Sequence, residues 1–156
     1  MPQTGAAEHS GRYQWSKSLA SVTEAMDAGA TLPEACVQII QPALYEVGNL
    51  WQRNRITVAQ EHLASAISQN VLVGAYLKAS FLAPNGQSAV FACVEGNHHG
   101  LGLRMLSDAF ETRGWDAAYL GTDVPTRDLL QDIDTRRPQL LALSASMPQH
   151  LGSVRQ

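Results

Sequence analysis

No run of basic residues in this chain exceeds the Arg136-Arg137 pair, and the formal net charge is −3 with a pI near 5.9. Following a phosphate backbone takes clustered Lys and Arg, so no direct nucleic-acid contact is expected from these residues. Long apolar stretches are missing too. Nothing approaches the roughly 20 residues of a membrane span, and the N-terminal MPQTGAAEHSG has neither a basic start nor an apolar signal core. A cytoplasmic protein is the expectation. Cysteine is scarce: Cys36 and Cys93 stand alone without C-x-x-C spacing, which argues for two buried thiols over a disulfide or a zinc pair. What the chain does have is 45% hydrophobic residues over 156 positions, enough to build a core.

Those residues are patterned in two styles. Residues 1–12 are small and polar and read as a flexible tail. Over 13–81 the period is helical. Trp15, Leu19, Val22 and Met26 form one stripe that Gly29 stops. Thr31-Leu32-Pro33-Glu34 has capping-box form, and Ile40, Leu44, Val47 and Trp51 carry a second stripe. Thr57-Val58-Ala59-Gln60 opens a third helix with Leu63, Ile67 and Val71, running to about Ala79. Three helices with short connections predict a bundle.

After a linker at 82–87 the character changes. Ser88–Val94 is a short apolar run that reads as a buried strand, and His99–Arg113 has helical spacing ended by Gly114. Asp116–Leu120, Thr126–Arg137 and Gln139–Ser144 then give strand, helix and strand. This alternation predicts an α/β unit over 88–156, a Rossmann-like (flavodoxin-like) parallel sheet built of right-handed βαβ crossovers. Such sheets usually carry about five strands or more. The unit therefore reads as truncated at Gln156, inside the next helix.

The chemistry-bearing residues concentrate at the first strand-to-helix connection, Glu95-Gly96-Asn97-His98-His99-Gly100-Leu101-Gly102. Open parallel sheets bind ligands beyond the carboxyl ends of their strands, and glycines there let a large flat ligand approach the backbone. His99 is the candidate metal ligand. Asn97, two residues earlier, stands where a hydrogen bond could orient the imidazole. His98 reads as an ordinary loop residue and His150 as a solvent-facing residue of the last helix. Asp123, Asp128 and Glu111 sit where carboxylates are commonplace and receive no role.

Asn97, His99 and Gly102 resemble the D/E-x-H-x-x-G pattern of methionine synthase, the mutases and related cobalamin-binding domains, with asparagine in place of the carboxylate. Leu103-Arg104-Met105-Leu106, Gly114-Trp115 and Leu120–Pro125 are similar to the same domain, and Ser144-Ala145-Ser146 takes the S-x-T/S position. The resemblance implies that His99 ligates cobalt from below, and that Ser144 and Ser146 meet the nucleotide tail. It covers nearly all of residues 88–150.

A second constellation is Trp51, followed after nine residues by Glu61-His62. A short hairpin between the second and third helices brings the three toward one end of the bundle. This W-x9-E-H spacing is similar to that of the CarH/LitR-type photoreceptors, as is Val47-Gly48-Asn49-Leu50-Trp51. The resemblance implies that the bundle caps the upper face of adenosylcobalamin, with Trp51 against the adenosyl group and Glu61 and His62 lining its pocket. The residue after the tryptophan, often a cobalt-ligating histidine in that family, is Gln52 here.

The functional expectation is a light-sensing module rather than an enzyme. It signals through cleavage of the cobalt–carbon bond to a fused output domain or a regulatory partner, and a homo-oligomer is compatible with it. The rival expectation is a corrinoid methyl carrier of a methyltransferase system.

Overall fold

The computed structural model describes residues 11–150 and Gly152. The chain forms two compact units that divide between Ala79 and Ser80. Most of the expected tail over 1–12 lies outside the described residues; its last two, Gly11 and Arg12, open the first helix.

In the N-terminal unit, α1 (Gly11–Asp27) ends where Gly29 turns left-handed at φ +106°. That turn lets Ala30 N–H reach back to the carbonyl of Ala25 at 3.0 Å, a glycine stop of the kind the sequence announces. α2 (Leu32–Ala35) begins on the Thr31–Glu34 capping box, and Glu34 accepts the Thr31 N–H at 2.8 Å. One uninterrupted helix is the expectation from here to Trp51. Instead a π-helical segment, Cys36–Ile40, joins α2 to α3 (Gln41–Gln52). Pro42 explains it. Proline has no N–H for the carbonyl four residues back and its ring crowds that carbonyl. One extra residue in the turn relieves the clash, and Gln41 N–H bonds the carbonyl of Cys36.

α3 stops at Asn54, left-handed at φ 53°, with Arg55 N–H on the carbonyl of Leu50 and Asn54 N–H on that of Trp51, both 2.9 Å. Thr57 and Gln60 then cap α4 (Val58–Lys78) reciprocally. Val22, Leu32, Cys36, Ile40, Val71 and Leu72 are buried in this unit. α1 and α4 approach closely at Gly74, where a Cβ would lie 2.6 Å from Leu19 Cδ1. Two residues placed on apolar stripes by spacing are open to solvent: Leu63 is 45% exposed and Trp51 46%.

The C-terminal unit is a three-stranded parallel sheet in the order β2-β1-β3, made of β1 (Ser88–Val94), β2 (Asp116–Val124) and β3 (Leu140–Ser144). Phe91, Cys93 and Leu103 pack on one side of it with Phe110 and Trp115, beside α5 (Leu101–Thr112). Val90, Ala92 and Leu129 pack on the other with Ile133, beside α6 (Thr126–Arg136). The central strand is therefore buried on both faces, which is why its sequence is a continuous apolar run. β2 runs four residues past its expected end at Leu120. Irregular register, with Gly121 at φ 96° and Asp123 at φ 53°, keeps it paired with β1 as far as Val94↔Val124. Gly114 ends α5 at φ 83° and packs so closely that a Cβ would sit 2.2 Å from the carbonyl oxygen of Ala83.

Among the described residues no helix is long and apolar enough to cross a membrane. Cys36 and Cys93 are buried thiols that form no disulfide.

Candidate functional site

Because β1 is central and its neighbours lie on opposite sides, the carboxyl end of β1 is the point where the strand order reverses. Open α/β sheets bind their ligands in that crevice. The loop 95–100 leaves the sheet at that point, between β1 and α5.

Its shape is held by bonds from all three strands. Asn97 N–H bonds the carbonyl of Val94 at 2.9 Å, closing a tight turn over Gly96, whose φ of 82° favours glycine. From β2, Asp123 accepts the Gly96 N–H at 2.7 Å and donates its own N–H to the carbonyl of Asn97 at 3.0 Å. The Tyr119 hydroxyl donates to the carbonyl of Gly100 at 3.1 Å. Beneath the loop, the Cys93 thiol donates to the carbonyl of His99 at 3.7 Å. Burial pushes that thiol's pKa up, partly offset by the Ser144 hydroxyl, so it stays protonated and able to donate. Glu95 accepts from Thr126 at the start of α6, where a carboxylate suits the helix dipole.

Asn97 is fully buried. Its Oδ1 accepts the backbone N–H of His99 at 3.1 Å, and its Nδ2 donates to the carbonyl of Ser144 at 2.9 Å, with Ser144 Oγ at 3.4 Å. The side chain thus engages the main chain of His99, where the sequence suggested its imidazole. His99 itself is exposed, and its ring makes no hydrogen bond among the described residues. Gly102, in the first turn of α5, is exposed; a Cβ added there would meet nothing within 4 Å, and its backbone is not left-handed. Neither packing nor conformation of the unit itself calls for glycine at 102. Gly100 differs, since a Cβ there would meet Thr122 Cγ2 at 2.5 Å and the Tyr119 hydroxyl at 2.6 Å.

Asn97, His99, Gly102 and Ser144 are therefore brought to one edge of the sheet; Ser146 lies two residues past β3 and is exposed. Among the described residues no group of three or more His, Cys, Asp or Glu could hold a metal ion.

In the N-terminal unit, Trp51 occupies the last turn of α3 and Glu61 and His62 the first turn of α4, on either side of the connection 53–57. Glu61 Oε2 lies 2.6 Å from His62 Nδ1, and Glu61 Oε1 accepts from Ser65 at 2.8 Å. The carboxylate fixes the ring through Nδ1 and leaves Nε2 directed elsewhere.

Sequence reasoning assigned Asp123 no role, and the structure makes it a support of the loop. It also corrects His150, expected at the surface of a last helix. The short 3-10 turn Pro148–His150 folds it back, and the ring is buried with Nδ1 accepting the Met147 N–H at 3.3 Å. A Cβ on Gly96 would lie 3.9 Å from that ring. The remainder of the expected last helix lies outside the described residues, apart from Gly152.

Comparison with known proteins bears on both units. Residues 87–156 match a family model described as B12 binding domain, and residues 14–73 match a second model of the same description. The chain is 35% identical over 139 residues to the HTH-type transcriptional repressor CarA of Myxococcus xanthus, covering 85% of this chain and 46% of that protein. It is 31% identical over 144 residues to the HTH-type transcriptional repressor CarH of the same organism, covering 83% and 47%. The chain thus spans about half the length of these relatives. In fold it is similar to the monomethylamine corrinoid protein of Methanosarcina barkeri, with a TM-score of 0.71 at 18% identity over 86% of this chain and 64% of that one.

Proposed function

We propose, for a chain that belongs to the CarH-type family of cobalamin-binding proteins, the role of a light sensor that uses adenosylcobalamin. The observation that carries the sensory part is that similarity to two transcriptional repressors runs through both units, the N-terminal one included. A likeness to a corrinoid protein at 18% identity speaks to fold alone.

The residues present fit a cobalamin. Gly102 leaves bare backbone at the start of α5, beside an exposed His99 whose main chain is held on both sides. A flat macrocycle needs such a surface, and its metal needs one further ligand from the protein. His99 would supply that ligand through an imidazole nitrogen. Ser144 and Ser146, past the carboxyl end of the same sheet, would meet the nucleotide tail. Bound adenosylcobalamin supplies a cobalt–carbon bond that visible light can cleave.

Trp51 would offer an aromatic face to the adenosyl group, and Glu61 holds His62 in one orientation across the connection from it. The exposed Trp51 and His62 side chains, with the partly buried Glu61, are the groups whose surroundings change between dark and light in this reading, so the signal starts with them. The output is transcriptional in this reading, through an output domain, a partner or a change of oligomeric state, as befits a relative of repressors.

The test is the absorbance spectrum of the protein reconstituted with adenosylcobalamin, before and after green light. Loss of the adenosyl group under light, with the spectrum constant in darkness, is the expected result. A light-stable complex would overturn the sensory role, and methyl transfer from a dark-stable methylcobalamin complex would make the chain a corrinoid methyl carrier.

A further inference from the structure

We infer that Asn97 is a positioning residue that acts through the main chain: its amide locks the His99 loop to β3, and a carboxylate cannot replace it in this protein. The inference rests on the reading of His99 as a cobalt ligand and adds how that ligand is placed.

A carboxamide carries both an acceptor and a donor, and Asn97 uses one on each side. Oδ1 takes the N–H of His99 at 3.1 Å, and Nδ2 gives to the carbonyl of Ser144 at 2.9 Å. Its own backbone is committed as well, to Val94 in β1 and to Asp123 in β2. One buried residue therefore joins the carboxyl ends of all three strands to the backbone of the proposed ligand.

An ionised aspartate is acceptor only. At position 97 it could still take the His99 N–H, but its other oxygen, on a fully buried side chain, would face the carbonyl oxygen of Ser144. Two acceptors without a proton between them repel, and a partly buried carbonyl that loses its donor is costly. The carboxylate that related cobalamin-binding patterns carry at this position is thus unfavourable here. The imidazole of His99 is placed by the stiffness of its loop, and residue 97 gives its ring nitrogens no direct support.

The experiment compares the parent with Asn97→Asp by amide hydrogen exchange without cofactor and by hydroxocobalamin binding. In Asn97→Asp, exchange at the His99 amide is expected to quicken about tenfold, because loss of the tie to the Ser144 carbonyl lets the loop open more often. Hydroxocobalamin is expected to bind about tenfold more weakly, with a smaller fraction in the histidine-ligated spectral form. Equal or tighter binding by Asn97→Asp with an undiminished histidine-ligated spectrum would overturn the inference, as would unchanged exchange at His99. If Asn97→Asp does not fold, the parent decides: slow exchange of the Asn97 side-chain NH2 with and without hydroxocobalamin supports the brace, and rapid exchange in either state refutes it. Faster exchange in Asn97→Asp, together with a parent that binds no cobalamin, would refute the cobalamin reading and leave the brace standing.

Discussion

The loop 95–100 and the end of the N-terminal unit that carries Trp51 hold the two halves of the same sequence signature, yet they are built in opposite ways. In the loop the main chain of Gly96, Asn97, His99 and Gly100 is tied by named bonds, several of them to β1 and β2, and the Asn97 side chain adds a tie to β3. Around Trp51 the bonds are local: the carbonyl of Trp51 takes Asn54 N–H, and Glu61 takes His62 and Ser65 on its own helix. The indole itself lies open. A template that fixes a metal ligand has to be stiff before the ligand arrives. A surface that reports on its occupant has to be free to change. On the proposed function, the contrast gives coordination to the first region and response to the second.

The largest test of that contrast removes the floor of the stiff region. Phe91 is fully buried in β1 and meets Phe110 edge-on at a centroid distance of 5.2 Å. Phe91→Ala should cost about 3–5 kcal/mol, read by urea denaturation of the C-terminal unit. If the loop draws its stiffness from the sheet, corrinoid binding should fall with it. His99→Ala comes next, with a loss of affinity on the order of 100-fold, since even the partners of metal ligands are worth about 10–100-fold. Adenosylcobalamin and hydroxocobalamin should suffer alike, because the lower ligand serves both. An unchanged histidine-ligated spectrum in His99→Ala would end the assignment of that residue.

How much of this could be read from the chain differs between the regions for the same physical reason. Both capping boxes and the stops at Gly29 and Gly114 are local signals, and the structure has them where the sequence puts them. The strand Ser88–Val94 was legible because a centrally buried strand is an apolar run between glycines. Pro42 was also visible, but whether a proline kinks a helix or is absorbed by a π turn depends on packing around the turn. β2 runs on through Gly121-Thr122-Asp123, residues with turn composition, because pairing with β1 outweighs propensity. The Asn97 amide lies hydrogen-bonded to a carbonyl 47 residues away, and no local pattern encodes that contact. The motif revealed that position 97 matters, and the fold shows what it holds.

Two smaller substitutions sharpen the division between template and reporter. Trp51→Ala should weaken adenosylcobalamin up to roughly tenfold, from an aromatic contact worth about 0.5–1.5 kcal/mol, while hydroxocobalamin binding stays unchanged. A matched titration of both cobalamins distinguishes this from general damage, and equal losses would remove Trp51 from the adenosyl side. Gly102→Ala should do the reverse. With nothing within 4 Å of the new methyl group, the protein without cofactor should gain about 0.4–1 kcal/mol from a stiffer unfolded chain. Both cobalamins should bind more weakly, because the methyl group occupies the surface they need. A rise in melting temperature with binding intact would show that glycine at 102 serves no ligand.

The smallest effect separates two acid–base pairs. Glu61 and His62 meet at 2.6 Å with side chains 29% and 75% exposed, whereas Arg104 and Asp108 meet at 2.6 Å with Asp108 only 1% exposed. Water screens the first pair, so it contributes little to stability. In the second, Asp108 Oδ2 is buried without a partner among the described residues. Burial raises the Asp108 pKa, and the hydrogen bond and charge of Arg104 only partly offset it. The folded-state value thus lies above the unfolded one, and the sign follows. Asp108 favours folding most when protonated, below the ordinary carboxylate range, and that contribution is lost as pH rises through the raised value. Asp108→Asn keeps the shape and removes the titration. Relative to the parent, its stability in urea should therefore improve steadily from acid toward neutral pH. Parallel pH profiles for parent and Asp108→Asn would mean that Arg104 compensates the buried carboxylate fully, making the second pair as neutral to folding as the first.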